Sequence, residues 1–169
     1  MAAVKIISGG QSGVDRAALE VAIEHGIAYG GWCPRGGWAE DFPDPPGLLA
    51  HYPNLRETPS ADPAERTEWN LRDSDAILIL LGAGGLAVSK GTALARDVAE
   101  RAGKPLLVLE LDGADAGQDA QRWLKQQLAA CSGSHLQLGI GGPRESEAPG
   151  IYRQAKVFLE QWIVSCGQG

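Results

Sequence analysis

The chain has 169 residues, of which 44% are hydrophobic and 21% are charged, and this composition excludes a disordered chain. Its formal net charge is −6 and its sequence pI is about 5.0, and no block of lysines and arginines interrupts the acidic balance. These charges exclude a nucleic-acid-binding surface, and the longest apolar run, Ala76–Leu81, is too short to span a membrane.

Short apolar runs alternate with helical patterns along the chain. The predicted strands are residues 4–8, 27–32, 75–81, 106–111 and 135–140, and the predicted helices are residues 14–25, 64–72, 92–102, 119–130 and 151–164. This alternation predicts an α/β, Rossmann-like three-layer fold, with a mainly parallel sheet and helices on both faces. We expect a single ligand-binding domain over residues 1–169, with a long irregular insertion at about 33–63 that is rich in proline, glycine and tryptophan.

The first glycine-rich loop, residues 9–13, joins the first strand to the first helix and reads Gly-Gly-Gln-Ser-Gly. Glycines let the backbone turn sharply and bring its N–H groups close to a ligand, and a helix N-terminus attracts anions. A tight turn without a ligand is the alternative. Two further glycine-rich loops, residues 82–91 and 141–150, also follow strands, so all three loops should meet at the carboxyl edge of the sheet.

The second and third loops carry the polar groups expected of an anion site. Ser89, Gly91 and Thr92 stand where a helix begins, although serine and threonine are also favoured there as helix caps. In the third loop, Arg144 can grip an oxyanion and Ser146 can donate to it, although a solvated turn has the same composition. The sequence therefore predicts a phosphate or oxyanion site.

Other residues have weaker indications. Trp32 and Arg35 could hold a flat heterocycle by stacking, or could form a protein interface. Arg66 and Asn70 lie one helical turn apart, and could reach across one pocket or only bridge locally. Asp15 could be a general base, but a carboxylate at a helix start is more often a dipole or capping residue.

No arrangement of residues predicts a catalytic triad or a metal site. The three histidines are scattered, and no two cysteines have the close spacing of a zinc site. The cysteines, which are Cys33, Cys131 and Cys166, suit a reducing compartment better than a disulfide framework. The N-terminus has no extended apolar core typical of a signal peptide, and we expect a cytoplasmic protein.

Taken together, five segments resemble the molybdenum carrier family, which includes carriers of molybdenum cofactor. The matching segments are residues 8–18, 31–36, 66–75, 89–92 and 142–146. The resemblance implies a Rossmann-like fold related to nucleoside-monophosphate phosphoribohydrolases, and a homo-oligomer, dimer or tetramer. It also implies binding of molybdenum cofactor, a phosphorylated pterin, or of a molybdate-like oxyanion, with molybdoenzymes as delivery partners.

The related phosphoribohydrolases carry a Pro-Gly-Gly loop, then Gly-Thr and a downstream glutamate. Here residues 86–92 lack Pro-Gly-Gly, and Arg96 and Asp97 precede the first downstream glutamate, Glu100. We therefore expect a non-catalytic carrier or storage protein, with a phosphoribohydrolase or a nucleotide-sensing module as the alternatives. The expected binding residues are Gly10, Gln11, Ser12, Gly13, Ser89, Gly91 and Thr92 as an anion cradle, Arg144 and Ser146 closing it, and Trp32 and Arg35 at the ring end.

Overall fold

The structure, a computed structural model, describes the backbone of residues 2–166 and the side chains of residues 2–163. Its strands are β1 (Ala3–Ile7), β2 (Ala28–Cys33), β3 (Leu55–Glu57), β4 (Ala76–Leu81), β5 (Leu106–Glu110) and β6 (His135–Gly141). Its α-helices are α1 (Val14–Glu24), α2 (Leu48–His51), α3 (Pro63–Arg72), α4 (Lys90–Arg101), α5 (Ala116–Ala130) and α6 (Ile151–Cys166).

The six strands form one sheet in the order β3-β2-β1-β6-β4-β5, and every neighbouring pair is parallel. The last strand of the chain therefore lies inside the sheet. If the count began at β6, the order would read 4-3-2-1-5-6, a doubly wound sheet whose direction reverses between β6 and β4. In such sheets ligands bind beyond the carboxyl ends of the strands at the reversal.

Helices cover both faces of the sheet, so the predicted three-layer α/β fold is confirmed. Helices α1, α5 and α6 pack on one face, where Leu78 and Leu138 are fully buried. Helices α3 and α4 pack on the other face, over Ile77 and Ile79. All six residues of β4 are buried because helices cover both faces, which explains its uninterrupted apolar sequence.

The stretch from 33 to 63 is more regular than the sequence predicts. It contains helix α2 and strand β3, and β3 extends the sheet beside β2. Leu48 and Leu55 from these two elements pack against Leu19 of α1 in a small separate core. A helix of four residues and a strand of three are too short to show a periodic pattern, so tertiary packing defines them.

Helices α1 and α6 begin at the predicted residues, whereas α4 begins at Lys90 and α5 at Ala116, two and three residues earlier than predicted. Most of the added residues are exposed and show no apolar period, so the sequence pattern did not include them. Cys33 is buried and Cys131 is half-buried, and both are free thiols, whereas the side chain of Cys166 lies outside the described residues. Within residues 2–166, no helix combines the length and the apolar character needed to cross a membrane.

Candidate functional site

A cavity of about 350 Å³ opens at the carboxyl edge of the sheet, close to the reversal between β6 and β4. This volume is in the range of small-molecule sites. All three glycine-rich loops line the cavity, and helix α3 supplies a further wall. The lining residues that can bind an anion are Ser8, Gly9, Gln11, Arg66, Ser89, Lys90, Gly91, Thr92, Gly141, Gly142 and Arg144.

The first and third loops are held in direct contact at Gly13. The Val14 N–H donates to the Pro143 carbonyl at 3.3 Å. A Cβ on Gly13 would lie 2.2 Å from that same carbonyl oxygen, and Gly13 has a φ of +82°, in the region that favours glycine. Gly13 therefore allows the close approach of the loops and does not itself line the cavity.

A cation on α3, Arg66, lines the cavity and pairs with Asp15 on α1. Arg66 Nη1 donates to Asp15 Oδ2 at 3.1 Å, and the two side chains are only 12% and 11% exposed. The Nε of Arg66 is buried and has no hydrogen-bond acceptor among the described residues. A buried donor without a partner is costly, so this guanidinium has unused capacity for an acceptor.

The absence of a side chain at Gly9 makes room for this guanidinium. A Cβ on Gly9 would lie 2.0 Å from Arg66 Nη1 and 3.1 Å from Asp15 Oδ2. Gly9 therefore lets the first loop lie directly against the ion pair at the wall of the cavity. Burial raises the pKa of Asp15 above its ordinary value, against the opposing influence of Arg66 and of the Gln11 N–H.

The second loop ends in a helix cap at the wall of the cavity. Ser89 Oγ accepts from the Thr92 N–H at 3.2 Å and from Thr92 Oγ1 at 2.9 Å, and both side chains are buried. The capping interpretation of Ser89 is therefore correct. The first helical residues, Lys90 and Gly91, also line the cavity, so the positive end of α4 is turned toward it.

Ser12 and Ser146 are brought together, but around a carboxylate of the protein itself. Ser12 Oγ donates to Glu40 Oε1, and Ser146 Oγ donates to Glu40 Oε2 at 2.5 Å. The Ser146 N–H also donates to Glu40 Oε1, at 3.2 Å, and the Glu40 N–H donates to Gln11 Oε1 at 2.9 Å. Neither serine lines the cavity, so Glu40 occupies the place that the sequence analysis gave to a ligand anion.

Replacing Glu40 with glutamine should lower the free energy of unfolding by about 1 kcal/mol, because hydrogen bonds between the first and third loops lose their charged acceptor. Partial burial opposes ionisation of Glu40, but the hydrogen bonds from Ser12 and Ser146 lower its pKa overall. Its contribution is therefore complete at neutral pH and lost as the pH falls through its lowered pKa. Chemical denaturation at pH 7 and pH 3 checks this, with Glu100→Gln as the exposed control.

Trp32 and Arg35 do not line the cavity. The backbone N–H of Trp32 donates to Asn70 Oδ1 at 2.7 Å, its Nε1 donates to Asp73 Oδ2 at 2.7 Å, and its ring contacts Trp69 edge-on at 4.8 Å. The side chain of Arg35 is exposed. The amide of Asn70, which lines the cavity, is engaged by Trp32 on both sides.

Of the two remaining predicted residues, Arg144 lines the cavity and Gly10 does not. A Cβ on Gly10 would lie 3.0 Å from Leu55 and 3.1 Å from Leu48, which places this glycine against the small core rather than in the cavity. Arg144 does line the cavity, with its guanidinium 5.4 Å from the centre of the Trp38 ring. Its backbone N–H donates to Glu147 Oε1 at 2.9 Å, which fixes the third loop locally.

Comparisons with known proteins give two matches. Residues 6–163 match the family described as the circularly permutated YpsA SLOG family. A crystal structure of a protein named "Putative molybdenum carrier protein", from Syntrophus aciditrophicus SB, is 38% identical and superimposes with a TM-score of 0.78, with 96% of each chain covered. No curated protein matches the chain. These matches confirm the resemblance that the sequence segments indicated.

Proposed function

The chain belongs to the circularly permutated YpsA SLOG family, and from this premise we propose that it is a non-catalytic carrier or storage protein for molybdenum cofactor or a molybdate-like oxyanion. The observation that carries the proposal is Arg66, a largely buried cation at a ligand-sized cavity whose Nε has no acceptor among the described residues. An anionic ligand in the cavity would pair with this guanidinium. The name of the 38% identical structure supports a molybdenum-related cargo.

The proposed anion cradle differs from the one that the sequence predicts. It keeps the cavity-lining residues Gln11, Ser89, Gly91, Thr92 and Arg144, and it gains Arg66. The donors are hydroxyls, backbone N–H groups and guanidinium groups, which suit phosphate and oxyanion oxygens. Of the described cysteines, Cys33 and Cys131 do not line the cavity, so the cargo would be held through its organic part and its oxygens.

The test is calorimetric titration and thermal shift with molybdenum cofactor, molybdate, tungstate and nucleoside monophosphates, followed by an assay for released base. Binding of the cofactor or of an oxyanion without turnover would support the carrier.

We further propose a cytoplasmic homo-oligomer, dimer or tetramer, that delivers its cargo to molybdoenzymes. Size-exclusion chromatography with light scattering tests the oligomer, and transfer of cofactor to an apo-molybdoenzyme tests the delivery.

A nucleoside-monophosphate phosphoribohydrolase is the second candidate, and Asp15 is the observation that favours it. Asp15 is a buried carboxylate at the cavity, where such an enzyme needs an acid, whereas Asp97 and Glu100 do not line the cavity. Free base released from a nucleoside monophosphate, and lost in Asp15→Asn, would establish this activity and overturn the carrier. Nucleotide binding without release of base would instead favour a sensing module.

Arg144→Ala should weaken binding of the anionic ligand by about 1.5–3 kcal/mol, the cost of losing a charged hydrogen bond. Arg144 reaches the cavity from the third loop, so its removal takes a donor from the wall without exposing a buried ion pair. Titration calorimetry measures the change. Arg153→Ala, an exposed arginine on α6, is the matched control and should leave the affinity unaltered.

A further inference from the structure

The turn formed by residues 37–42 lies outside the cavity and bears an aromatic side chain, Trp38. Trp38 is half-buried and does not line the cavity. Its ring lies against the guanidinium of Arg144, whose Cζ is 5.4 Å from the ring centre, and Arg144 does line the cavity. This distance is within the range of a cation–π contact. Trp38 therefore contacts a cavity residue from outside the cavity.

The contact with Trp38 leaves hydrogen-bond donors of Arg144 free. A cation–π contact attracts the charge to the face of the ring and needs no acceptor, so the guanidinium keeps N–H donors for other partners. Among the side chains that the structure describes, residues 2–163, none forms a hydrogen bond or an ion pair with this guanidinium. Glu40 of the same turn does not pair with it, and its two oxygens accept from Ser12 and Ser146.

The backbone is fixed on both sides of Trp38. Before it, the Gly37 carbonyl accepts from the Leu48 N–H at 2.8 Å. After it, Ala39 and Phe42 exchange two backbone hydrogen bonds, of 3.2 Å and 2.9 Å, which close the turn. Gly37 and Ala39 are buried. The position of the indole ring is therefore set by the fold of the insertion.

The end of the turn is attached to the elements that form the cavity. The Glu40 N–H donates to Gln11 Oε1 at 2.9 Å, which joins the turn to the first loop. Arg16 on α1 donates to both oxygens of Asp41, at 2.7 Å and 2.8 Å. The turn thus has a fixed place relative to the first loop, and through Trp38 it can transmit that place to Arg144 on the third loop.

We propose that Trp38 is a positioning residue of the anion site, whose ring holds the Arg144 guanidinium at the wall of the cavity without touching the ligand. An arginine on a loop loses side-chain freedom when it binds an anion, and a guanidinium that is already held has less freedom to lose. The inference rests on the proposed function, because it requires that Arg144 donates to the anionic ligand.

Trp38→Leu should weaken binding of molybdate or of AMP about two- to fivefold, the equivalent of one cation–π contact. Trp38→Phe keeps an aromatic face and should retain most of the affinity. In the Arg144→Ala background, Trp38→Leu should cause no further loss. Trp69→Leu is the matched control, because the Trp69 ring lies against Arg72 at 4.8 Å and neither residue lines the cavity. Calorimetry gives the affinities, and thermal melting confirms that each variant is folded.

A second measurement needs no ligand. The Nε–H resonance of Arg144 in an NMR spectrum, identified by its absence in Arg144→Ala, should shift in Trp38→Leu because the ring current of the indole is lost. Trp69→Leu should leave this resonance in place and shift that of Arg72 instead. A resonance of Arg144 that did not move in Trp38→Leu would overturn the inference.

The binding data can overturn the inference in two further ways. One is an unchanged affinity in Trp38→Leu. The other is an equal loss of affinity with and without Arg144, which would mean that Trp38 acts through the fold and not through the guanidinium. If no anion binds to the wild-type protein, the carrier proposal fails, and the Arg144 resonance alone decides whether Trp38 positions this side chain.

Discussion

Replacing Arg66 with glutamine is expected to weaken binding of the anionic ligand by roughly 10- to 100-fold, the equivalent of one charged hydrogen bond. Arg66 is the cation whose position at the cavity is most firmly fixed, since Asp15 holds Nη1 while Nε has no acceptor among the described residues. Arg72→Gln is the control on the same helix. Arg72 is more than half exposed and pairs with the neighbouring Asp73, so its loss should not change the affinity.

The same substitution should also destabilise the fold, because it leaves the buried Asp15 carboxylate without its partner. Breaking a buried ion pair from one side typically costs about 3–5 kcal/mol. The double variant Asp15→Asn, Arg66→Gln removes that carboxylate charge, so it should recover most of the lost stability. It should not restore the wild-type affinity, because the guanidinium is still absent.

Denaturant unfolding and calorimetry on the two single variants and the double variant separate these roles. A double variant that regained both stability and binding would mean that Arg66 only holds Asp15 in place and does not contact the ligand. Gly9→Ala offers an independent check, since its Cβ would lie 2.0 Å from Arg66 Nη1 and would displace the guanidinium. Ligand affinity should then fall in a protein that keeps both charged residues.

The strands, the glycine-rich loops and the α/β fold could be predicted because the evidence for each strand and loop lies in a short run of the sequence. Ala76–Leu81 reads as a buried strand from six consecutive apolar residues, and each glycine-rich loop follows such a strand. Since the carboxyl ends of parallel strands share one edge, the three loops could be expected to meet, and Gln11, Ser89 and Arg144 do line one cavity. The α/β fold follows from the same alternation.

The distant pairings could not be predicted in the same way. Arg66 and Asp15 are separated by 51 residues, and Glu40 is 28 residues from Ser12. Nothing in the spacing of such residues indicates which carboxylate meets which donor. The sequence analysis left Arg66 out of the expected binding residues. The available signal for Arg66 was its position one helical turn from Asn70, on the same face of a helix. It left open that Asn70 would be engaged by the backbone of Trp32 while Arg66 reached the cavity.

Binding of the anionic ligand should weaken as the pH rises, because Asp15 is a carboxylate at the same cavity. Burial raises the pKa of Asp15, although the adjacent Arg66 guanidinium opposes this. A bound anion adds a negative charge nearby and raises that pKa further, so the complex holds the Asp15 proton more tightly than the free protein does. Binding is therefore coupled to proton uptake.

The direction of the effect follows from the two pKa values of Asp15. Below the pKa in the free protein, Asp15 is neutral in both states and the affinity is greatest. The affinity falls between that pKa and the higher one in the complex, about tenfold for each unit that separates them, and it is constant above both. The free energy of unfolding also decreases as the pH rises. The contribution of Asp15 to it is complete below the pKa of this group in the unfolded chain, and it is lost as the pH rises through the raised pKa in the folded protein.

Titrations with molybdate and with AMP from pH 5 to pH 8 measure this coupling, and Asp15→Asn is the decisive variant. It should bind as tightly as the wild-type protein does at low pH, and any pH dependence that it retains belongs to the ligand. No histidine lines the cavity within the described residues, so histidine titration does not complicate this range. Glu147→Gln removes another carboxylate of the lining and should keep the wild-type dependence. If Asp15→Asn and the wild-type protein showed the same dependence, the pKa of Asp15 would be the same in the free protein and in the complex, and the anion would lie closer to Arg144 and the start of α4 than to the Arg66–Asp15 pair.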